Sequence, residues 1–398
     1  MVSCVAKDGY ANVTLRDLAR VAAVSPNVFY SCFADKEQCF LSTHDAIAEG
    51  ALARARAAVA AADGWQLRLR ALIDAFLAVV IDEPDAAYLA MVEIHAVGAA
   101  ALEHQQQALD DHERLLREVF ADAPETEPIS DTTIKAMVAG ARGLIARELG
   151  EGNTSAGLAR LAPALESWAL CYRGSVPAPL AEPFAEHERP PARLPVTPPR
   201  ASATAGGHRE RIMRAVAEIS CEEGYAALRM PAIASRAGVS NQTFYEHFQN
   251  KHEAFLACYD RSSRRVLSAL LQSFQAAPDW PRAVKASLST LLGHIAAEPE
   301  FARLGLFEIL AAGADARRRA DDRAAALTAM LTPGAPLDTP APPRLLGALV
   351  AAGIWGVIQH HIVHGRTSRL PELTPQLTYM ALAPFVGSLK AWEVAQAS

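Results

Sequence analysis

Apolar residues recur every three or four positions over most of this 398-residue chain. Residues 68–81, 88–97, 133–148 and 345–363 all carry that spacing, which gathers their apolar side chains on one face of an α-helix. No run alternates apolar and polar residues for long enough to make a strand. Helix breaks fall at Glu83-Pro84, Pro124, Pro128, Glu298-Pro299 and across 333–343, where proline removes a backbone donor. The pattern predicts an all-α protein.

The same pattern occurs twice. Gly9-Tyr10-Ala11 returns as Gly224-Tyr225-Ala226, an offset of 215 residues. That offset carries Val24-Ser25 onto Val239-Ser240, Phe29-Tyr30 onto Phe244-Tyr245, Phe33 onto Phe248, and Lys36 onto Lys251. It persists through Asp45 and Asp260, Glu83-Pro84 and Glu298-Pro299, Glu93 and Glu308, and Gly98 and Gly313. Near the ends the offset becomes 212, bringing Leu158, Leu161, Pro163 and Leu165 onto Leu370, Leu373, Pro375 and Leu377. A chance match does not hold register over this distance, so one unit has been duplicated. Between the copies, residues 174–207 are rich in proline and end in Ala, Ser, Thr and Gly, the composition of a semi-rigid linker. The expected domains are a reader over 1–48, a helical body over 49–173, the linker over 174–207, a second reader over 208–262 and a second body over 263–398.

Composition bounds the function. With 51% hydrophobic and 21% charged residues, the chain has the balance of a globular protein rather than a disordered one. Charged or histidine residues interrupt the apolar stretches, and the N-terminus lacks a basic segment followed by an apolar one, so a cytoplasmic protein without a membrane partner is expected. The six cysteines are scattered without CxxC spacing, which suits reduced thiols and points to neither a disulfide framework nor a metal site. No cofactor motif is present. The net charge of −6 does not favour nucleic acid, although a local basic face on an acidic body can still bind phosphates.

In the second copy, residues 209–223 form an amphipathic helix ended by Gly224, and a short helix over 231–237 follows. Gly238-Val239 then makes a turn, and Ser240 is placed to cap a further short helix over 241–248. This is a helix-turn-helix pattern, whose second helix presents its N-terminal residues to the major groove. The stretch AIASRAGVSNQTFYEHFQNKHEAFLACYD resembles the DNA-binding region of the tetracycline-repressor (TetR/AcrR) family, with its Ala-x-x-Ala-Gly-Val-Ser turn, Tyr-x-x-Phe helix and following Lys. In the first copy DLARVAAVSPNVFYSCFADKEQCFLSTHD has the same hallmark, with Ala23 in place of the turn glycine. The resemblance covers about 50 residues per copy. It implies that Tyr30, Lys36, Tyr245 and Lys251 contact phosphates, while Asn241, Gln242, Thr243 and His247 face bases. Phe29, Phe33, Phe244 and Phe248 read as core.

The first copy departs from that pattern. Its recognition helix offers Pro26, Asn27, Val28 and Cys32, fewer hydrogen-bonding groups than its counterpart, with Asn27 the candidate base contact. Thr14-Leu15-Arg16-Asp17 resembles a capping box, from which Arg16 reaches DNA. Its first helix is short, since residues 2–8 align only with 217–223; a misplaced start is the favoured explanation over a degenerate reader.

The resemblance also implies a helical ligand sensor in each copy, and pairing of the last two helices in a four-helix bundle. Those helices correspond to 133–148 with 158–172, and 345–363 with 376–392. The two copies are therefore expected to pair within one chain as a pseudo-dimer, with further dimerisation open. Tethering supplies an effective concentration of roughly millimolar for that pairing. Two unlike readers imply double-stranded DNA with an imperfect palindrome, its half-sites about one helical turn apart. Apolar pockets for a small-molecule effector are expected near Tyr88, Met91, Glu93 and His95, and near Phe301, Leu304, Phe307 and Glu308. Glu93 and Glu308 stand out, because an acid in an apolar helix needs a partner. His360, His361 and His364 share a helix face but have no nearby acid or thiol cluster to complete a metal site. No phosphate loop, nucleophile elbow or metal-spaced acid set supports an enzyme. A transcriptional repressor released by an effector is the expectation, and a ligand-binding or scaffolding protein with a partly degenerate reader is the alternative.

Overall fold

The computed structural model describes residues 1–397 except 122, 124–128, 153, 154, 175, 179, 185–206 and 332–341. Most of the predicted linker, and the breaks at Pro124, Pro128 and 333–341, lie outside the described residues. Among those described, the secondary structure is helical throughout and contains no strand.

The chain forms two compact units. The first comprises Met1–Glu182 together with Leu331–Val357 and Tyr379–Ser398, so it takes in helices from the end of the second repeat. It begins with three short helices, α1 (Val2–Asp8), α2 (Leu15–Val21) and α3 (Pro26–Cys32), which pack around Val5, Tyr10, Leu18, Phe29 and Phe40. The long α4 (Lys36–Ala60) starts at an Asp35 cap and leads from this head into a helical body. There it meets α5 (Trp65–Asp82), α6 (Pro84–Met91), α7 (Ala99–Ala121), α8 (Asp131–Gly150), α9 (Ser155–Ala159) and α10 (Ala162–Leu170).

The second unit comprises Pro183–Met330 and Ile358–Thr378. Its head is α11 (His208–Glu223), α12 (Met230–Ala237) and α13 (Asn241–His247), built around Ile212, Val216, Ile219, Phe244, Phe248 and Phe255. The body helices follow as α14 (Lys251–Ala276), α15 (Trp280–Ala297), α16 (Pro299–Arg303), a π-helical turn at Leu304–Glu308, α17 (Ile309–Ala311) and α18 (Ala314–Leu331).

The last helices are α19 (Pro343–Val363), α20 (Thr374–Val386) and α21 (Ser388–Gln396). Arg344–Val363 is long and apolar enough to cross a membrane, contrary to the expectation that charged or histidine residues interrupt every apolar stretch. However, 67% of its most apolar stretch is buried inside the protein. A helix apolar on all sides is one surrounded by protein or lipid, and here protein surrounds it.

Within the first unit, α8 and the first part of α19 approach too closely for side chains. A Cβ on Gly140 would lie 2.7 Å from the Leu349 carbonyl oxygen, and one on Gly353 would lie 2.8 Å from the Ala136 carbonyl oxygen. A Cβ on Gly143 would lie 3.0 Å from the Ala352 Cβ, and one on Gly356 would collide with the Ala139 Cβ. A single offset of 213 relates Gly140 to Gly353, Ala136 to Leu349, Gly143 to Gly356 and Ala139 to Ala352. Each contact is thus answered by its own mirror, the signature of a local two-fold interface. Around it, Trp168 Nε1 donates to Tyr172 Oη at 2.9 Å and Tyr172 Oη donates to the Met380 carbonyl at 3.0 Å. Ser388 Oγ donates to the Cys171 carbonyl, and Trp392 Nε1 to that of Ala178. The closing helices of the first repeat therefore pack, within this unit, against the first part of α19 and against 379–398.

Candidate nucleic-acid interface and a cavity in the first body

The second reader is ordered by backbone chemistry. Gly238 takes the left-handed conformation (φ 63°, ψ 42°) that closes α12 and turns the chain toward α13. Ser240 caps α13 by accepting from the Thr243 amide at 3.0 Å. Phe244 and Phe248 are fully buried beneath, and they fix which face of α13 looks outward. On that face Asn241, Gln242 and Tyr245 are exposed, with Thr243 and His247 half-buried beside them. Tyr245 keeps 56% of its surface free, which a core aromatic does not.

The first reader repeats this geometry under strain. Ala23 occupies the turn with φ 54°, a positive value no other described non-glycine residue adopts. Ser25 caps α3 through the Val28 amide, Phe29 is buried, and Asn27, Val28 and Tyr30 are exposed. The expected capping box is present at Thr14 and Asp17, and it leaves Arg16 exposed on the first turn of α2.

Lys36 and Lys251, expected on phosphates, are anchored to their own heads. Lys36 Nζ donates to the Tyr10 and Val13 carbonyls at 2.9 and 3.0 Å, and Lys251 Nζ to the Leu228 carbonyl at 2.9 Å. Burial lowers both ammonium pKa values. An ammonium has three donors, so Lys36 keeps one N–H for a phosphate and Lys251 keeps two. Sequence alone does not reveal this double duty, because the carbonyls sit 23 and 26 residues away.

Glu93 and Glu308 find their partner in the heads and not in a ligand pocket. Glu93 Oε2 accepts from the Tyr10 amide at 2.7 Å, and Glu308 Oε2 accepts from the Tyr225 amide at 2.7 Å. The donor in each case follows a glycine of positive φ, Gly9 or Gly224, which frees that amide from helical bonding. Burial raises the Glu308 carboxyl pKa, opposed by the Tyr225 amide and by Arg303.

A cavity of about 150 Å³ lies in the body of the first unit, between α4, α5, α6, α7, α8 and α10. Its walls are apolar for the most part, with Phe76, Leu116, Met137 and Trp168 among them. Four polar side chains interrupt them: His44, Gln105, His112 and Arg142. Of the residues expected to line a first pocket, Met91 does, whereas Tyr88, Glu93 and His95 do not. In the second copy Leu304 and Phe307 are buried, Leu304 in the core beneath the head, and the side chain of Phe301 lies outside the described residues. The four polar wall residues escaped the sequence reading, since each sits singly in an otherwise ordinary helix. The detectable signal was Arg142, a cation on the inward face of α8.

Burial governs the charges here. It lowers the pKa of His44 and of His112, and it pushes Arg142 down to about 10. Arg142 therefore stays a cation at neutral pH, whereas the two imidazoles are held toward the neutral form.

Comparison with known proteins places the heads. The model of the tetR family of bacterial regulatory proteins matches residues 2–43 and again 212–258. The transcriptional activator FasR of Mycolicibacterium smegmatis is 31% identical over 100 residues, a match spanning 25% of this chain and 45% of that protein. Among solved structures, the fatty acid degradation regulator FadR of Bacillus halodurans aligns with a TM-score of 0.39 at 19% identity, over 44% of this chain and 95% of its own. FadR of Bacillus subtilis, solved in complex with stearoyl-CoA, aligns with a TM-score of 0.38 at 17% identity, over 45% of this chain and 98% of its own.

Proposed function

Because the chain belongs to the tetR family of bacterial regulatory proteins and carries its DNA-binding domain twice, we propose that it is a repressor whose two repeats pair within one chain and release DNA when a small molecule fills the first body. The observation that carries this reading is the path of α4. Its first residue, Lys36, is bonded to the first head, while His44, Ile47, Ala48 and Ala51 of the same helix wall the cavity. A second path runs through α6, where Ala87, Ala90 and Met91 line the cavity and the chain passes directly to Glu93, clamped on Tyr10. A ligand that pushes α4 and α6 apart moves both attachments of the head. DNA affinity then falls in proportion to the ligand's preference for that shifted state.

On the DNA, Asn241, Gln242, Thr243 and His247 read base edges, with Asn and Gln suited to adenine and the Thr methyl to thymine. Tyr245, Lys251, Tyr30 and Lys36 hold phosphates and set register. Asn27 and Arg16 supply the first reader's contacts. With two unlike recognition helices in one chain, the operator is an imperfect palindrome. The mirrored glycine contacts of α8 and α19 support pairing in cis, and the free cysteines are consistent with a cytoplasmic protein.

Footprinting on the DNA upstream of its own coding region tests the reading. One chain is expected to protect both half-sites, with log affinity falling linearly against log salt as phosphate contacts require. Asn241→Ala should weaken the second half-site by about 1–3 kcal/mol. Tyr245→Phe should weaken binding evenly across sequences. A footprint that neither substitution alters overturns the assignment of α13 as reader. A reporter under the same operator gives the direction of control: expression should rise when the chain is absent, and a fall identifies an activator, as FasR is named.

A further inference from the structure

Arg142 enters the cavity wall as a cation without a counter-ion. Its Nη2 donates to the Ala90 and Met91 carbonyls at 3.4 and 3.2 Å, and Gln105 Oε1, in the orientation that satisfies both groups, accepts from Nη1 at 2.9 Å. These are neutral acceptors, and no carboxylate among the described residues pairs with the guanidinium. A buried charge left in this condition is costly, and a structure retains it where something of opposite sign arrives. A second group points the same way. His112 Nδ1 bonds to the Ala108 carbonyl at 2.7 Å and so carries the proton, which leaves Nε2 an acceptor. That Nε2 is buried and has no partner. Phe76 packs edge-on to the same ring, 5.7 Å between centroids.

The polar set belongs to the first repeat alone. The pairing of His104 with Asp45 is repeated by Arg319 with Asp260, which carries the 215-residue offset into α7 and α18. By that offset Gln105 becomes Ala320 and His112 becomes Leu327. The mirrored glycines set Arg142 against Trp355. His44 becomes Tyr259, which lies in the core beneath the second head. Cation, amide and free imidazole are therefore all lost from the second repeat.

We propose that the first repeat alone senses the effector, and that the effector is a small apolar carboxylic acid bearing a hydroxyl group, its carboxylate on Arg142 and its hydroxyl donating to His112 Nε2. This rests on the reading of the first body as the sensor. A cavity of this volume holds a body about the size of a single benzene ring. Phe76 and Trp168 supply aromatic walls for it.

Isothermal titration of the full-length chain with benzoate, 3-hydroxybenzoate, 4-hydroxybenzoate and benzamide tests the proposal. One acid molecule is expected per chain, with at least one hydroxybenzoate binding more tightly than benzoate and benzamide roughly tenfold or more weaker than benzoate. Arg142→Gln should abolish the preference for acid over amide, and Arg142→Lys should retain part of it. His112→Leu should remove the gain from the hydroxyl, so that the hydroxybenzoates bind no more tightly than benzoate. Equal binding of benzoate and benzamide by the unaltered chain overturns the proposal without recourse to any variant, as does a stoichiometry of two. Footprinting run in parallel separates the two failures: an intact footprint with no acid preference removes this ligand class and leaves the regulator, whereas acid-selective binding without a footprint keeps the site and removes the regulator.

Discussion

Exchanging the two turn residues between the heads isolates a single backbone effect. Ala23 sits at φ 54° and Gly238 at φ 63°, each closing the helix before its recognition helix. The left-handed region costs an L-residue roughly 1–2 kcal/mol, because Cβ crowds the following carbonyl. Glycine avoids that cost but loses about 0.5–1 kcal/mol more conformational entropy on folding. The difference predicts that Ala23→Gly stabilises the first turn by about 0.5–1 kcal/mol and that Gly238→Ala weakens the second by a similar amount. No atom lies within 4 Å of a Cβ placed on Gly238, so no steric clash adds to the second figure. The matched reporters are the Val24 amide, bonded to the Ala19 carbonyl at 3.0 Å, and the Val239 amide, bonded to the Ala234 carbonyl at 3.0 Å. Native-state hydrogen exchange at these amides should show protection rising in Ala23→Gly and falling in Gly238→Ala, each by roughly two- to fivefold. Local exchange is the right assay, because a chain of two compact units gives no single unfolding free energy. Changes of the same sign in both variants would refute the reasoning, as would none in either.

Three further outcomes follow from the contacts. Gly140→Ala forces a Cβ to within 2.7 Å of the Leu349 carbonyl and closer still to the Trp168 ring, so it should destabilise the first unit by about 1–3 kcal/mol in urea unfolding followed by tryptophan fluorescence. Glu308→Ala leaves the Tyr225 amide without its charged acceptor and should cost about 1.5–3 kcal/mol, read as faster exchange at that amide with α15 unaffected. His44 and His112 have depressed pKa values, so the unfolded chain takes up protons at a higher pH than the folded one does. Their contribution is complete above the unfolded value near 6.5 and is lost as pH falls through the folded values, so the urea midpoint should drop between about pH 7.5 and 5.5, and drop less in His112→Leu.

The duplication and both readers were legible because their signals are local. A turn glycine, a Ser cap and two core phenylalanines lie within eleven residues, 238–248, and the offset repeats them. Phe29, Phe244 and Phe248 are buried, and Tyr30 and Tyr245 are exposed, as the motif implied. The body was legible only in outline. Glu93 and Glu308 were recognisable as acids in need of partners, yet each partner is a backbone amide 83 residues away, and such amides carry no residue signature. Arg142, Gln105, His112 and His44 come from three helices, and only their packing shows that they share one wall. The pairing of the closing helices was expected from the family resemblance, but the glycines that set how close they come lie inside stretches read as unbroken helix, 133–148 and 345–363, where nothing marked them.

Residues 140–143 read Gly-Ala-Arg-Gly and residues 353–356 read Gly-Ile-Trp-Gly, with fixed outer positions and altered inner ones. In an assembly of identical subunits, any mutation at a two-fold contact is made twice and felt on both sides at once. Here each side is encoded separately. The outer glycines are kept and the contact with them, while Ala-Arg on one side and Ile-Trp on the other differ, so a substitution between them alters one half of the contact and leaves the other as it was.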